Sequence, residues 1–156
     1  MSAAANKKLV QQVYEDSANR RGTTFYDNLA DDACWIVTGE NLWSRRFKGR
    51  DAIMNNLMGH FRSLFPERPR TVAFNFIADG DFVAVEARGD NVTKTGQRYD
   101  NEYCMIFRIE NGRIKEIKEY CDSALVERVL GPFPADRIPQ TQPCNRRPAV
   151  SAVDNK

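Results

Sequence analysis

The chain has 156 residues, 42% of them hydrophobic and 28% charged, which excludes wholesale disorder and suits one domain with a buried core. A net charge of only +2 excludes a polyanion as the default partner. The pairs Arg20–Arg21, Arg45–Arg46 and Arg146–Arg147 stand among interspersed acids with no aromatic-basic motif, so they read as solvated surface and no nucleic acid is expected.

In chain order, Leu9, Val10, Val13 and Tyr14 repeat at helical spacing, Ala18 lies one turn on, and Gly22 is a natural stop. A short second helix is expected over residues 26–29. Residues 34–37 form a β-prone run closed by Thr38-Gly39, and residues 40–49 lack a period and read as a loop, a rim or a lid. A third helix follows Gly49, with Ile53, Leu57, Phe61 and Leu64 along its apolar side. Strands are then predicted over residues 72–77, 82–88, 99–109 and 113–121, with Asp79-Gly80 and Asn111-Gly112 as hairpin turns. Residues 122–130 form a short helix capped by Asp122 or Ser123. Helices and a short strand followed by an antiparallel meander spell α+β. Five of the seven prolines fall after Gly131. The chain therefore divides into a domain over residues 1–131 and a proline-rich tail over residues 132–156, which is expected to add little stability. That tail is either loosely ordered or draped over a pocket or a partner subunit.

Residues 1–8 lack the apolar segment of a signal peptide, and no stretch approaches the length of a membrane span, so neither export nor a membrane is expected. Cys34, Cys104, Cys121 and Cys144 show no C-x-x-C spacing, and the chain has one histidine. Reduced thiols in a cytoplasm and no metal site are expected.

Strand alternation gives each strand two faces. Tyr99, Asn101, Tyr103, Met105, Phe107 and Ile109 share the more apolar one, expected to be concave. Ile117, Glu119 and Cys121 share a face as well. Glu119 is there either a buried carboxyl with a raised pKa, suited to proton transfer, or the partner of a cation across the sheet. On the third helix, Ile53, Leu57, His60 and Leu64 stand at i, i+4, i+7 and i+11, which puts the histidine on the buried stripe. It is either a proton donor and acceptor near pH 7 or a core histidine bonded to a carbonyl. Trp35 is expected to line a pocket and Trp43 to cap it, or both simply to pack. Tyr14 offers a phenol to a ligand or packs the first helix on the sheet.

The element order, with Ala30-Asp31-Asp32-Ala33, residues 47–53 (FKGRDAI), Tyr99-Asp100-Asn101, Gly112-Arg113-Ile114 and Glu119-Tyr120-Cys121-Asp122, resembles the SnoaL-like branch of the nuclear transport factor 2-like superfamily over roughly residues 7–131. The resemblance implies a curved, cystatin-like antiparallel sheet wrapped around N-terminal helices, with a cone-shaped cavity between them, commonly in a homodimer packed sheet to sheet. Members include polyketide cyclases, ketosteroid isomerase, limonene epoxide hydrolase, dehydratases and binding modules, so fold does not name function. Against ketosteroid isomerase, the two essential carboxyl positions fall at Val37 and Met105, and only its pocket tyrosine is matched, by Tyr14. Steroid isomerisation by that mechanism is not expected. Against limonene epoxide hydrolase, Glu119 keeps one carboxylate. The arginine and second aspartate fall at Ala87 and Gly89, or at Arg88 and Asp90 if a one-residue bulge intervenes. Asp122 matches the general base of the SnoaL-like cyclases, although an aspartate just before a helix is more often an ordinary N-cap.

The expectation is a metal-free and cofactor-free enzyme acting on a small, fairly apolar metabolite by acid–base chemistry: cyclisation, isomerisation, dehydration or epoxide opening. Glu119 or Asp122 is the base and His60 or Tyr14 the donor, with Glu119 and His60 converging in one cavity. Trp35, Val37, Leu57, Asn101, Tyr103 and Met105 line the substrate site. The alternative is a ligand-binding or protein-association module using the same cavity without chemistry. Cys104, Ile106 and Tyr120 on the outer sheet face point to a homodimer.

Overall fold

The computed structural model describes residues 1–139. Helix α1, Ala3–Ala18, starts at Ser2, whose hydroxyl accepts the Ala5 N–H at 3.2 Å. It buries Val10 and Tyr14. It ends where the Asn19 side chain turns back to donate to the Glu15 carbonyl at 2.9 Å, ahead of Gly22. A short helix α2, Thr24–Asn28, leads into strand β1, Leu29–Val37.

Strand β1 begins earlier than the β-prone run at residues 34–37 because its acidic start is accommodated outside. Asp31 pairs with Arg50 at 2.8 Å, Lys115 donates to Asp32, and the register against β6 shifts between Leu29 and Cys34. The expected loop over residues 40–49 contains a further short strand, β2, Arg46–Lys48. It is anchored by the fully buried Phe47, which stands opposite Trp35. Helix α3 runs over residues 52–63: Ala52–Met58 is wound as π-helix and Gly59–Ser63 as α-helix.

The meander follows as β3 (Thr71–Asp79), β4 (Phe82–Gly89), β5 (Glu102–Glu110) and β6 (Arg113–Cys121). At the last hairpin Asn111 (φ 51°) and Gly112 (φ 73°) both take the left-handed conformation, which a two-residue type I′ turn requires. The six strands lie in the order β2-β1-β6-β5-β4-β3, and β1 pairs with β6 in parallel, so the sheet is mixed rather than wholly antiparallel. Register shifts in the β1/β6, β3/β4 and β5/β6 pairs bend it. Its concave face carries Val83, Val85, Met105, Phe107, Ile114 and Ile117, all buried, and closes on Val10, Tyr14, Ile53, Leu57 and Phe65. Burying this much apolar surface is the main stabilising contribution.

Helix α4, residues 123–130, is capped by Asp122, whose carboxylate accepts the N–H groups of Ala124 at 3.0 Å and Leu125 at 3.3 Å. Beyond it the chain does not leave the domain at once. Phe133 is buried, edge-on to Trp43 and Phe47, with the Arg45 guanidinium 4.7 Å from its ring centroid. The turn Ala135–Arg137 is tied to α3, since Asn56 donates to the Arg137 carbonyl at 2.9 Å and Arg137 to the Asn55 carbonyl at 3.1 Å. One aromatic side chain thus docks the first part of the proline-rich stretch. The rest of the expected tail, residues 140–156 with Cys144, lies outside the described residues.

Cys34 is disulfide-bonded, which corrects the expectation of reduced thiols throughout, while Cys104 and Cys121 are free. Among the described residues no helix is long and apolar enough to cross a membrane.

Candidate functional site

Between the concave face and the helices lies a cavity with two lobes. The first spans about 610 Å³ and the second about 790 Å³, open solvent at their mouths included. Trp35, Met58, Phe61, Thr71 and Met105 line both lobes and form the partition between them.

The first lobe follows from strand alternation. Trp35 and Val37 share a face of β1, Val37 stands opposite Glu119, and Met105 stands opposite Glu119 on the other side. Tyr99 and Tyr103 complete the sheet wall, Leu57, Met58 and Phe61 come from α3, and Trp43, Val126 and Leu130 close the far side. Glu119 is the one carboxylate among these lining residues, and no lysine, arginine or histidine is among them. Of the expected substrate-lining residues, Trp35, Val37, Leu57, Tyr103 and Met105 are at this wall.

Glu119 is half-buried, and loss of hydration pushes its pKa up to about 7. Two neutral donors oppose that rise. The Trp35 indole Nε1–H donates to Oε2 at 2.8 Å, and the Cys121 thiol donates to the same carboxyl. Burial and the nearby carboxylate hold that thiol neutral, its pKa pushed up to about 12. The lobe therefore contains a carboxyl that is half-ionised near neutrality, bonded through neutral donors and not quenched by a cation.

Beside it the Tyr103 hydroxyl donates to the Tyr99 oxygen, and the Asn101 side-chain amide donates to that same oxygen at 3.0 Å. Burial pushes both phenols well above their ordinary pKa, so they act as neutral hydrogen-bonding groups. Asn101 itself does not line the cavity, contrary to expectation. It is fully buried, donating also to the Asp122 carbonyl at 3.2 Å and accepting the Asp122 N–H at 2.9 Å. Its hydrogen-bonding capacity goes into clamping β5 to the end of β6.

Two expectations are corrected here, and the open choice between Ala87–Gly89 and Arg88–Asp90 is resolved. His60 does not meet Glu119. It lies behind Trp43, their ring centroids 5.2 Å apart, and edge-on to Phe133 at 5.4 Å. Burial, then the charge of Arg137, lowers its pKa. The stripe Ile53-Leu57-His60 supposes α-helical spacing, but the wide π turns of Ala52–Met58 advance less per residue, and Met58 and Phe61 join Leu57 at the wall in place of His60. Asp122 is exposed and committed to capping α4, so it is not a base facing the cavity. Arg88 is exposed on the outer face, and exposed Asp90 pairs with Arg98 at 2.7 Å. No bulge in β4 turns them inward, and Ala87 and Gly89 are the buried pair, so the hydrolase-like relay is not assembled.

Tyr14 belongs to the second lobe, edge-on to Phe76 and Phe107. Burial, reinforced by the charge of Glu119, drives its pKa far up, so it too stays neutral. The sequence reading did not reach Thr71, Val126 or Leu130. The i, i+4 spacing of Val126 and Leu130 in α4 was the available signal.

The SnoaL-like domain profile matches residues 10–117. No functionally curated protein matches. A protein from Jannaschia sp. provisionally assigned as a SnoaL-like polyketide cyclase is 20% identical, covering 84% of this chain and 94% of its own, with a TM-score of 0.66. A nuclear transport factor 2-like protein of unknown function from Burkholderia pseudomallei is 22% identical, covering 83% and 98%, with a TM-score of 0.69. A provisionally assigned isomerase from Bacillus subtilis is 15% identical, covering 85% and 99%, also at 0.69. At such identities these structures share the fold alone. With most of the cone-shaped domain matched by one family profile, the chain belongs to the SnoaL-like domain family.

Proposed function

We propose that the protein is an acid–base enzyme, working without metal or organic cofactor, on a small and largely apolar metabolite, with Glu119 as the base. The observation that carries this reading is the single carboxyl in an otherwise apolar, cation-free lobe, its pKa raised to about 7 by burial. A base poised near the working pH combines a useful ionised fraction with real proton affinity.

Glu119 takes a proton from a C–H or O–H of the substrate as the electron pair moves to a carbonyl oxygen, where the Tyr99 hydroxyl, which accepts from Tyr103 and Asn101, turns its own proton to the growing negative charge. The proton returns from Glu119 to a different atom of the substrate or to a departing hydroxyl. Val37, Leu57, Phe61 and Met105 keep bulk water from competing. Because Arg88 and Asp90 stand outside the cavity, the reading favours isomerisation, cyclisation or dehydration over epoxide opening. The exposed apolar side chains Phe74, Ile77 and Tyr120 on the outer sheet face support a homodimer.

The test is Glu119→Gln, which keeps shape and hydrogen bonds and removes proton transfer. Once a substrate has been found by screening carbonyl compounds, turnover should fall by about 10²–10⁴ while KM changes little. Wild-type turnover by this variant would overturn the reading. A wild-type protein that binds the screened compounds without converting any would favour a binding module in the same cavity.

A further inference from the structure

The second lobe opens through a charged mouth that plays no part in the chemistry above. Arg62 reaches it from the end of α3, Arg68 from the connection to β3, and Asp16 and Ser17 from the end of α1. Two of these groups are already committed. The Asp16 carboxylate accepts the Thr24 N–H at 3.0 Å and the Gln12 amide at 3.1 Å, and the Ser17 hydroxyl accepts the Thr71 N–H at 3.0 Å. Arg68 spends one N–H on the Gly22 carbonyl at 3.0 Å. The Arg62 guanidinium has no hydrogen bond or ion pair among the described residues. Two cations thus face one carboxylate that is already bound, and partial burial together with Arg68 disfavours the charge on Arg62. A like-charged pair left in this way is relieved by an anion, and guanidinium forks match carboxylates in geometry.

Below this mouth the lobe is aromatic, with Phe25 edge-on to Trp35 and Phe107 edge-on to Tyr14. The partition from the Glu119 lobe includes Met58 and Met105, flexible thioethers that repack readily around a ligand. We infer that the cavity takes an apolar organic acid, its anionic group held between Arg62 and Arg68 and its ring or chain running past Met58 and Met105 toward Glu119. The anion site stands on the mouth alone. Only the placement of the far end beside Glu119 rests on the function proposed above.

The test compares 4-phenylbutanoate with 4-phenylbutan-1-ol, the same skeleton with and without the charge, by isothermal titration calorimetry on the full chain. The acid should bind about tenfold more tightly than the alcohol, as charge-assisted hydrogen bonds at a partly exposed site allow. Added salt should weaken the acid and leave the alcohol unchanged. Arg62→Gln should remove most of the preference, and Arg62→Gln with Arg68→Gln all of it, while the alcohol keeps its affinity. Arg62 is exposed and has no hydrogen bond or ion pair among the described residues, so the single variant decides the matter should the double variant lose its far-UV dichroism. Equal affinity for both probes, an unchanged preference in Arg62→Gln, or binding of neither probe would overturn the inference. Glu119→Gln should keep the preference for the acid. Loss of turnover in that variant and loss of anion preference in Arg62→Gln therefore report separately on the base and on the anion site.

Discussion

The indole Nε1–H of Trp35 donates to Oε2 of Glu119 at 2.8 Å, joining strand β1 to strand β6 across 84 positions of sequence. In the parallel β1/β6 ladder Trp35 stands opposite Ile117 and Val37 opposite Glu119, so the indole reaches along one face to its diagonal neighbour. A neutral N–H on a half-buried carboxyl favours the ionised form without supplying a charge, which leaves the pKa near 7 rather than in the ordinary range.

Trp35→Phe keeps an aromatic ring against Phe25 and removes that donor. The pKa of Glu119 should rise by about one further unit, the size expected for one hydrogen bond to a charged group. A ¹³C-detected titration of the Glu119 carboxyl checks this without a substrate. An unchanged or lowered value would show that the indole does not stabilise the carboxylate.

Stability should depend on pH through the same group. The folded-state pKa of Glu119, about 7, lies above its ordinary 4.5, so the folded protein holds this proton more tightly than the unfolded chain does. That contribution is complete below about pH 4 and is lost as pH rises through about 7. Between pH 5 and pH 8 wild type should lose up to ~3 kcal/mol relative to Glu119→Gln, measured by urea unfolding at each pH. A constant difference between the two proteins would contradict the raised pKa.

Phe133→Ala should cost about 3 kcal/mol, the usual loss for truncating a buried phenylalanine. It empties the space between Trp43, Phe47 and His60. Chemical denaturation reads this directly, and a loss within experimental error would mean that the segment after Gly131 is an appendage after all.

Asp122 separates a cap from a base. Asparagine caps helices as well as aspartate does, so Asp122→Asn should leave stability and turnover unchanged, while Asp122→Ala should cost about 1 kcal/mol. A turnover defect in Asp122→Asn would return Asp122 to the chemistry.

Sedimentation at micromolar concentration should give a dimer. Phe74→Glu with Tyr120→Glu should give a monomer, since both side chains are exposed on the outer face. A monomeric wild type would remove the outer face as an interface.

Local periodicity carried much of this architecture. The alternation through Tyr103, Met105 and Phe107 found the concave face, and Asn111-Gly112 found the hairpin. What it could not carry was pairing between distant strands. The parallel contact of β1 with β6, which brings Trp35 to Glu119, leaves no local signature, and the strand Arg46–Lys48 is too short to show a period. His60 was misplaced for a different reason. Its assignment assumed a regular helix, and the π winding that shifts Phe61 to the wall is invisible in residue type. Asp122 and Asn101 illustrate a third limit. Polar residues near a pocket read alike in sequence whether they face the ligand or close the backbone, and only their hydrogen bonds tell the two apart.

The parallel join of β1 to β6 also sets the order of events during synthesis. Hairpins β3/β4 and β5/β6 can close on contacts only a few residues apart, but β1 cannot find its neighbour until the last strand of the meander has emerged. For that interval one edge of the strand bearing Trp35, Ile36 and Val37 waits unpaired, its other edge covered only by the short β2. Such non-local closure slows folding and lengthens exposure to aggregation. The nascent chain is thus at its most vulnerable just before the cavity first exists.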